Sequence, residues 1–502
     1  MIHPEEGVVV AAPASMPHLN ARNGTTMSDQ ELCYLSATEA IALFQKRQLS
    51  PVELVQALIT RTEQVNPLIN AYTYTFYERA LSAAKQAEAK YNQTDGNPRP
   101  LEGIPLAIKD LHAIKGEITT YGSKLFADNR DSHTIPTVER LLQAGAILLA
   151  RTTTAELGAA IVTHSPLWGV TCNPWNRQFS PGGSSGGSAA ALAAGIITLA
   201  DGSDYGGSIR IPASCCGVFG FKPPFGRNPS DNPYNLDVYN HYGPIARTVS
   251  DGALMQNVMS GYDRGDIMTL KERVIIPQNL ADIRGWKIAY SLDLGYFEVA
   301  PEVQQNTLQA VEIFRSLGCQ VEEVEIGWTM ANLDAFMTHA APGIGGVLRD
   351  LPEDSYSQLS DYVVYLLRRS QEISALELLA THQVRAKMYE ELAPILEQYN
   401  VLICPTTAVP SVPAQHSPLD PLFQINNQPV QALIQWAMTY PFNMLSQCPV
   451  ASVPSGFSSS GIPTGLQIVG RTFDDESVFR AAAAFERVQP WLNTSECRPK
   501  LI

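Results

Sequence analysis

The chain has 502 residues, of which 45% are hydrophobic and 17% are charged. This composition is typical of a globular enzyme and excludes a disordered or fibrous chain. Against 49 acidic residues stand only 35 basic ones, giving a net charge of −14. Because nucleic-acid binding relies on clustered lysine and arginine, which are missing here, we expect no direct nucleic-acid partner.

Eight cysteines are scattered along the chain without a C-x-x-C pair, and the adjacent Cys215 and Cys216 are poorly suited to a disulfide. This pattern favours a reduced compartment, so we predict a cytoplasmic location.

The most apolar segment, residues 189–200, is shorter than the roughly 20 residues that span a bilayer. No transmembrane segment is expected. The sequence leaves the oligomeric state open, with a homodimer among the alternatives.

Residues 1–30 show no periodicity and are predicted to form a mobile leader. Capping boxes at Ser36 and Ser50 predict two helices, and an alanine-rich stretch predicts a third over 78–91. Strands and helices then alternate. The predicted strands are 104–108, 146–150, 196–200, 286–290, 320–324, 401–404 and 449–453, and the predicted helices between them include 137–143 and 301–318.

This alternation predicts an α/β fold in which helices cover both faces of a central sheet. Segments with candidate chemistry lie on both sides of residues 262–440, where alternation is weaker. We therefore predict a single domain over 31–502, with 262–440 as a variable, substrate-shaping region inside it.

A lysine ends the first predicted strand, in the segment GIPLAIKD at 103–110. Burial disfavours the charged form of a lysine and can lower its pKa by several units, leaving a neutral amine that acts as a base. Lys109 is thus a candidate catalytic residue. A surface lysine paired with Asp110 is the alternative.

The second segment, SPGGSSGGS at 180–188, runs directly into the apolar, alanine-rich segment 189–200. Its glycines allow unusual dihedrals, and its serines supply hydroxyls beside a helix N-terminus. A flexible linker or a phosphate-binding loop is less well supported, because a hydrophobic helix follows at once and no Gly-Lys-Ser/Thr ending is present. Gly182-x-Ser184-x-Gly186 also matches the nucleophile elbow of α/β-hydrolases, which requires a downstream acid and histidine.

The third segment, DGSDYGGSIRIPA at 201–213, follows a strand that we expect to end at Asp201. A Gly-Gly turn presents Ser208, and Pro212 is well placed to begin a helix. Such a turn can direct consecutive main-chain N–H groups at one point, as a developing oxyanion requires. An ordinary strand-to-helix turn is the alternative.

Together the three segments resemble the amidase signature family of serine hydrolases, whose members carry a Ser–cis-Ser–Lys triad. The spacings 184 − 109 = 75 and 208 − 184 = 24 match that family. The resemblance covers roughly residues 35–475, and further similar segments lie at 169–176, 217–223, 243–247, 449–454 and 465–470.

The resemblance implies a mixed sheet and the hydrolysis of a carboxamide, or also an ester, through a seryl acyl-enzyme. Lys109 would be the base, Ser184 the relay serine after a cis peptide bond, and Ser208 the nucleophile. It implies no metal and no cofactor; the partner is a small-molecule amide substrate. The oxyanion would be bound by the main-chain N–H groups of Tyr205, Gly206, Gly207 and Ser208. Supporting roles would fall to Ser185, Asp204 and Arg210.

Position 205 departs from the family, where a small residue such as threonine is common, and a tyrosine ring there could reshape the acyl pocket.

Two other functions stay open. One is the glutamine-hydrolysing subunit of a tRNA-dependent amidotransferase, although Ile211 stands where that subunit usually carries glutamine. The other is a catalytically silent binding protein on the same fold, against which the intact Lys109, Ser184 and Ser208 argue.

Overall fold

The computed structural model describes residues 27–93 and 95–501. An 11-stranded sheet forms the centre of this part of the chain. Its strands, numbered in chain order, are β1 (Tyr72–Thr75), β2 (Pro105–Lys109), β3 (Ile147–Thr152), β4 (Leu199–Asp204), β5 (Phe219–Lys222), β6 (His241–Ala246), β7 (Lys287–Tyr290), β8 (Gln320–Glu323), β9 (Val401–Pro405), β10 (Val450–Phe457) and β11 (Pro463–Gly470).

Helices precede, connect and follow these strands. They are α1 (Asp29–Cys33), α2 (Ala37–Gln45), α3 (Pro51–Ile69), α4 (Tyr77–Asn92), α5 (Pro136–Gln143), α6 (Gly186–Ala193), α7 (Arg210–Cys216), α8 (Val249–Met259), α9 (Pro301–Ser316), α10 (Ala331–Leu348), α11 (Asp361–Glu372), α12 (Ala375–Gln398), α13 (Pro441–Met444) and α14 (Asp475–Val488). Short 3₁₀ turns lie at Lys124–Phe126, Glu156–Gly158, Tyr234–Leu236, Glu353–Gln358 and Ser495–Cys497, and two-residue strands pair His164–Ser165 with Gly169–Val170 and Gln424–Ile425 with Gln428–Pro429.

The strand order is β1-β3-β2-β4-β6-β5-β10-β11-β9-β7-β8. The sheet is mixed: β2 runs parallel to β3 and β4, and β7 runs parallel to β8 and β9. The other neighbouring pairs are antiparallel. The predicted α/β class and mixed sheet are confirmed. The predicted candidate residues fall near β2 and β4, which are direct neighbours inside the sheet.

Alternate residues of the strands face different helical layers, as the two-residue period of a strand requires. In β9, Val401 and Ile403 pack with α9 and α14, whereas Leu402 and Cys404 pack with helices α10 to α12. A third large core lies around α3, α6 and strands β2 to β4. Helices therefore cover both faces of the sheet, as predicted.

Most predicted elements form within one or two residues of their expected bounds. The capping boxes at Ser36 and Ser50 are present, and α3 begins at Pro51 as its sequence indicates. Two predictions were wrong. The strand expected at 196–200 spans Leu199–Asp204, and α7 begins at Arg210 rather than at Pro212. Pro212 lies in the first helical turn, where its missing N–H needs no partner.

The predicted leader lies mostly outside the described residues, which begin at Met27. Asp29 and Gln30, assigned to that leader, already belong to α1. The single domain over 31–502 stays a prediction, although the sheet takes strands from residue 72 to residue 470. Within the described residues, every helix is too short or too polar to cross a membrane.

The Asp251 carboxylate of α8 accepts hydrogen bonds from the N–H groups of Ala37 (2.9 Å) and Thr38 (3.0 Å), which open α2. We predict that Asp251→Ala lowers the free energy of unfolding by about 1–3 kcal/mol, because these N–H groups lose their acceptor. Thermal or urea unfolding measures this loss. Exposed Ser250→Ala is the control, expected within about 0.5 kcal/mol of wild type. Equal stability of the two variants would contradict the prediction.

Candidate active site

Lys109 is the last residue of β2, and its side chain is fully buried. The amine Nζ lies 2.7 Å from Ser184 Oγ and 2.9 Å from Ser203 Oγ. Burial lowers the pKa of Lys109 to about 7, although the carboxylates of Asp201 and Asp204 oppose this shift. At neutral pH a large share of the amine is therefore uncharged and able to accept a proton.

Ser184 lies just before α6, after a cis peptide bond to Gly183, as the family resemblance implies. Ser185 is the N-cap residue of that helix. Its N–H donates to the carbonyl of Ser208 (3.2 Å), and its hydroxyl donates to the carbonyl of Ser203 (3.4 Å). Ser185 thereby ties the segment of the relay serine to the segment of Ser208.

The glycines of residues 182–187 are required by close packing. A Cβ on Gly183 would lie 2.6 Å from the carbonyl of Val162, and one on Gly187 would lie 2.4 Å from Thr153 Oγ1. Both distances are shorter than any van der Waals contact. The stretch is thus a buried, packed segment, and the flexible-linker alternative is wrong.

The turn between β4 and α7 presents Ser208, which is 3% exposed. In the described part of the chain, none of the N–H groups of residues 205–208 donates to a protein acceptor. Gly207 has a φ of +125°, and a Cβ there would lie 1.9 Å from Thr439 Oγ1. The turn therefore requires glycine, and it leaves a run of main-chain donors free beside a serine.

Asp204 and Arg210 hold this turn in place. Arg210 donates to both carboxylate oxygens of Asp204, from Nη2 at 2.8 Å and from Nε at 3.0 Å, and both residues are fully buried. Burial opposes ionisation of Asp204, but the charge and hydrogen bonds of Arg210 outweigh it and hold the pKa of this carboxyl well below its usual range. The same carboxylate accepts from the N–H of Ile209 (3.2 Å), next to Ser208.

The nucleophile-elbow alternative required a histidine beside Ser184, but the partner of the Ser184 hydroxyl is Lys109. His241 is buried in main-chain contacts with Asp204 and Tyr239, and burial, together with the nearby Lys222, lowers its pKa to about 3. His339 contacts Asp237. Both histidines thus have partners other than Ser184.

Sequence reasoning missed three residues of the site: Ser203, Asp201 and His112. Ser203 is the second partner of the Lys109 amine, and Asp201 accepts from the Lys109 N–H at 2.8 Å. The signal was the two-residue spacing of Asp201 and Ser203, which places both on one face of a strand. It was overlooked because the strand was expected to end at Asp201.

The Tyr205 ring points toward α10 and is fixed there. Its hydroxyl donates to Asp237 Oδ2 (2.8 Å), and the ring packs edge-on against Tyr239 and Phe336, with centroids 5.9 Å and 6.3 Å away. A Cβ on Gly206 would lie 2.8 Å from Phe336 and 3.5 Å from Ile434. An aromatic and apolar wall thus borders the turn that presents Ser208.

Known proteins resemble this chain over most of its length. The amidase family model matches residues 53–479. An acylamidase of Rhodococcus erythropolis is 36% identical over 473 residues, covering 93% of this chain and 98% of its own length. A subunit of the glutamyl-tRNA(Gln) amidotransferase of Geotalea daltonii is 30% identical and covers 92% of this chain and 98% of its own length.

Solved structures share the fold. A bacterial aryl acylamidase of the amidase signature family superimposes with a TM-score of 0.86 at 33% identity, over 91% of this chain and 97% of that one. A 6-aminohexanoate cyclic dimer hydrolase, complexed with its substrate, gives a TM-score of 0.81 at 28% identity. The match covers 93% of this chain and 99% of that one. The resemblance inferred from three short segments is confirmed: the chain belongs to the amidase family and hydrolyses carbon–nitrogen bonds in amides.

Proposed function

We propose that the chain is a serine acylamidase in which Ser208 attacks the amide carbonyl and Lys109 moves protons through Ser184. One observation carries the proposal: a fully buried lysine amine lies 2.7 Å from a serine hydroxyl, beside a turn with free main-chain donors. A lysine is costly to bury with its charge, so this position favours the neutral base.

In the first half-reaction the proton of the Ser208 hydroxyl passes to Ser184 Oγ, while the proton of Ser184 passes to Lys109 Nζ. The Ser208 oxygen then forms a bond to the carbonyl carbon, and the carbonyl oxygen becomes an oxyanion. The proton returns from Lys109 through Ser184 to the leaving nitrogen as the C–N bond breaks. The products are an amine and an ester of Ser208.

In the second half-reaction water takes the place of the amine. Lys109 and Ser184 accept a proton from the water as its oxygen attacks the acyl carbon of the ester. The ester bond breaks, Ser208 regains its proton and a carboxylic acid leaves. The chain's own residues can move every proton in both half-reactions.

The oxyanion would be bound by the main-chain N–H groups of Tyr205, Gly206, Gly207 and Ser208. Donors that are fixed before the reaction stabilise developing charge without reorganisation. The ion pair of Asp204 and Arg210 supports this arrangement, because its carboxylate binds the main chain directly after Ser208. The side chain at position 205 does not affect the donor, since only its N–H is used.

We further propose acylated aromatic amines as a substrate class. The wall formed by Tyr205, Phe336, Tyr239 and Ile434 offers rings and apolar surface beside the reacting serine. Phe336 and Ile434 belong to the 262–440 region, which supports the prediction that this region shapes the substrate site. The similarity to a bacterial aryl acylamidase supports the same substrate class.

A glutaminase subunit is the second candidate, favoured by the 30% identity to the amidotransferase relative. The acylamidase relative is more similar, at 36% identity. Ile211 is buried where that subunit usually carries glutamine, and the apolar side chains of Phe336 and Ile434 lie against Gly206 in the turn. These observations favour an acylamidase that acts without partner subunits.

We also propose a cytoplasmic location. All eight cysteines, which lie in the described part of the chain, carry free thiols, and six of them are buried. Burial raises the pKa of Cys215 to about 12, so this thiol is unreactive at neutral pH. A chain with this many unpaired cysteines fits a reducing compartment.

Ser208→Ala and Lys109→Ala are each predicted to lower kcat/KM for an acylated aniline by at least about 10³-fold while the protein stays folded, because both belong to one proton-transfer chain. Anilide hydrolysis and labelling by a fluorophosphonate measure the loss. Ser214→Ala is the matched control, since this buried hydroxyl on α7 has no partner among the described residues. Near-wild-type rates in Ser208→Ala would refute the assignment, and release of ammonia from glutamine without anilide turnover would favour the glutaminase.

Gly207→Ala is predicted to lower kcat/KM by a factor of about 10²–10³, because the new methyl group meets Thr439 and displaces the N–H donors of the turn. Gly261→Ala is the control, because it places a side chain at a residue with a positive φ without causing a steric clash. Its φ is +114°, and the nearest atom to its Cβ would lie 3.7 Å away. Equal activity of the two variants would show that the turn does not depend on Gly207.

The rate of fluorophosphonate labelling is predicted to fall as the pH drops below about 7, the pKa of Lys109, because the protonated amine cannot accept a proton. Well below that pKa the decline should approach about tenfold per pH unit. Lys222→Met is the control: Lys222 has a pKa of about 7 as well, but its amine contacts main-chain carbonyls away from Ser184. A flat profile between pH 8 and pH 5 in the folded enzyme would contradict the role of Lys109.

A further inference from the structure

A buried histidine and a buried aspartate lie directly beside Lys109. His112 Nδ1 is 2.5 Å from Asp201 Oδ2, and the other oxygen, Oδ1, accepts from the Lys109 N–H at 2.8 Å. Both side chains are almost fully buried. The His112 ring packs against Tyr242, with centroids 4.6 Å apart. The proposed reaction uses neither side chain directly.

The protonation state of His112 follows from its second nitrogen. Nε2 is buried and has no hydrogen-bond partner among the described residues. A buried N–H without an acceptor is costly, whereas a lone pair without a donor costs less. His112 is therefore best described as a neutral ring that donates its Nδ1 proton to Asp201.

Two of the other carboxylates near Lys109 have a guanidinium partner. Asp204 is neutralised by Arg210 through two hydrogen bonds, and Arg151 lies 3.5 Å from Asp110. Arg151 also donates to the carbonyl of His112 at 2.9 Å. The titratable groups packed around Lys109 and His112 are Asp201 and Asp204 on β4, Arg151 on β3, Tyr242 on β6, and Asp110 and Asp131 in the segment after β2.

Among these buried carboxylates, Asp201 differs from Asp204 and Asp110, because its partner is the neutral ring of His112 rather than a guanidinium. Its negative charge is uncompensated, and it lies on the strand next to Lys109. A negative charge at this place favours the protonated amine and opposes the effect of burial. The pKa of the Lys109 amine therefore reflects a balance between burial and the nearby carboxylates.

We propose that Asp201, held in place by His112, is the positioning residue that sets how strongly Lys109 binds its proton. The inference rests on the proposed role of Lys109 as the base. His112 acts through Asp201, because its hydrogen bond holds the carboxylate in its orientation in the buried interior. The pair keeps the amine basic enough to accept a proton and weak enough to be neutral when the substrate arrives.

The test is the pH profile of fluorophosphonate labelling, measured between pH 5 and pH 9 on the full-length enzyme. Asp201→Asn removes the negative charge, so the fall of the rate at acid pH should move to lower pH by about one unit or more. His112→Phe keeps the packing against Tyr242 but removes the donor that holds the Asp201 carboxylate in place, so the profile should move in the same direction. The double variant should match Asp201→Asn alone, because His112 acts through Asp201.

Tyr242→Phe is the matched control, since it changes the group that packs on His112 without changing a charge, and its profile should equal that of wild type. Thermal unfolding checks that each variant is folded, and Asp201→Ser replaces Asp201→Asn should the latter not fold. An unmoved or upward-moved profile in Asp201→Asn overturns the proposal. An upward shift in His112→Phe, or additive shifts in the double variant, overturns the part assigned to His112.

These failures differ from a failure of the proposed function. If Lys109→Ala is labelled as fast as wild type, Lys109 is not the base and the proposed function fails. If Lys109→Ala is inert but the profile of Asp201→Asn is unmoved, only the inference about Asp201 fails.

Discussion

The contact between the Lys109 amine and the Ser184 hydroxyl, 2.7 Å apart in the buried interior, is the interaction on which the rest of the site depends. An ammonium group in such a place would lose its hydration, and the protein offers it two hydroxyls and, among the described residues, no direct ion pair. The structure therefore stabilises the neutral amine. A globular protein normally avoids a lysine inside a sheet, and in the proposed reaction this lysine is the base.

Strand pairing fixes the position of the Lys109 side chain, whereas Ser184 lies in the packed segment just before α6. Lys109 ends β2, and β4, paired in parallel beside it, carries Asp201, Ser203 and Asp204. The register of two neighbouring strands sets the distance between the amine and its partners. Catalytic groups on rigid elements are held more accurately than those on loops. By contrast, Phe336 and Ile434, which lie against the turn of Ser208, come from residues 262–440.

The sequence was enough to predict the class of fold, most strands and helices, and the three segments that meet at the site. These signals are local, because a capping box, an apolar run or a glycine-rich turn can be recognised in the sequence without knowing which residues pack against it. The extension of β4 to Asp204 could not be predicted from the sequence. The residues DGSD are typical of a loop unless the side chains that bind them are known. Asp201, Ser203 and Asp204 are tolerated in a buried strand only because Lys109, His112 and Arg210 satisfy them. Tertiary pairing of this kind leaves no periodic pattern in the chain.

The partners of Arg210 reach across much of the chain. Its guanidinium binds Asp204 six residues earlier, but also Asn443 and Gln467, which lie 233 and 257 residues later. During synthesis, the segment with Ser208 leaves the ribosome long before these two residues exist. The turn cannot acquire its final support until Gln467 has been made. The nascent chain is thus expected to remain inactive until its last strands join the sheet, so that no partly built enzyme acts on amides in the cell.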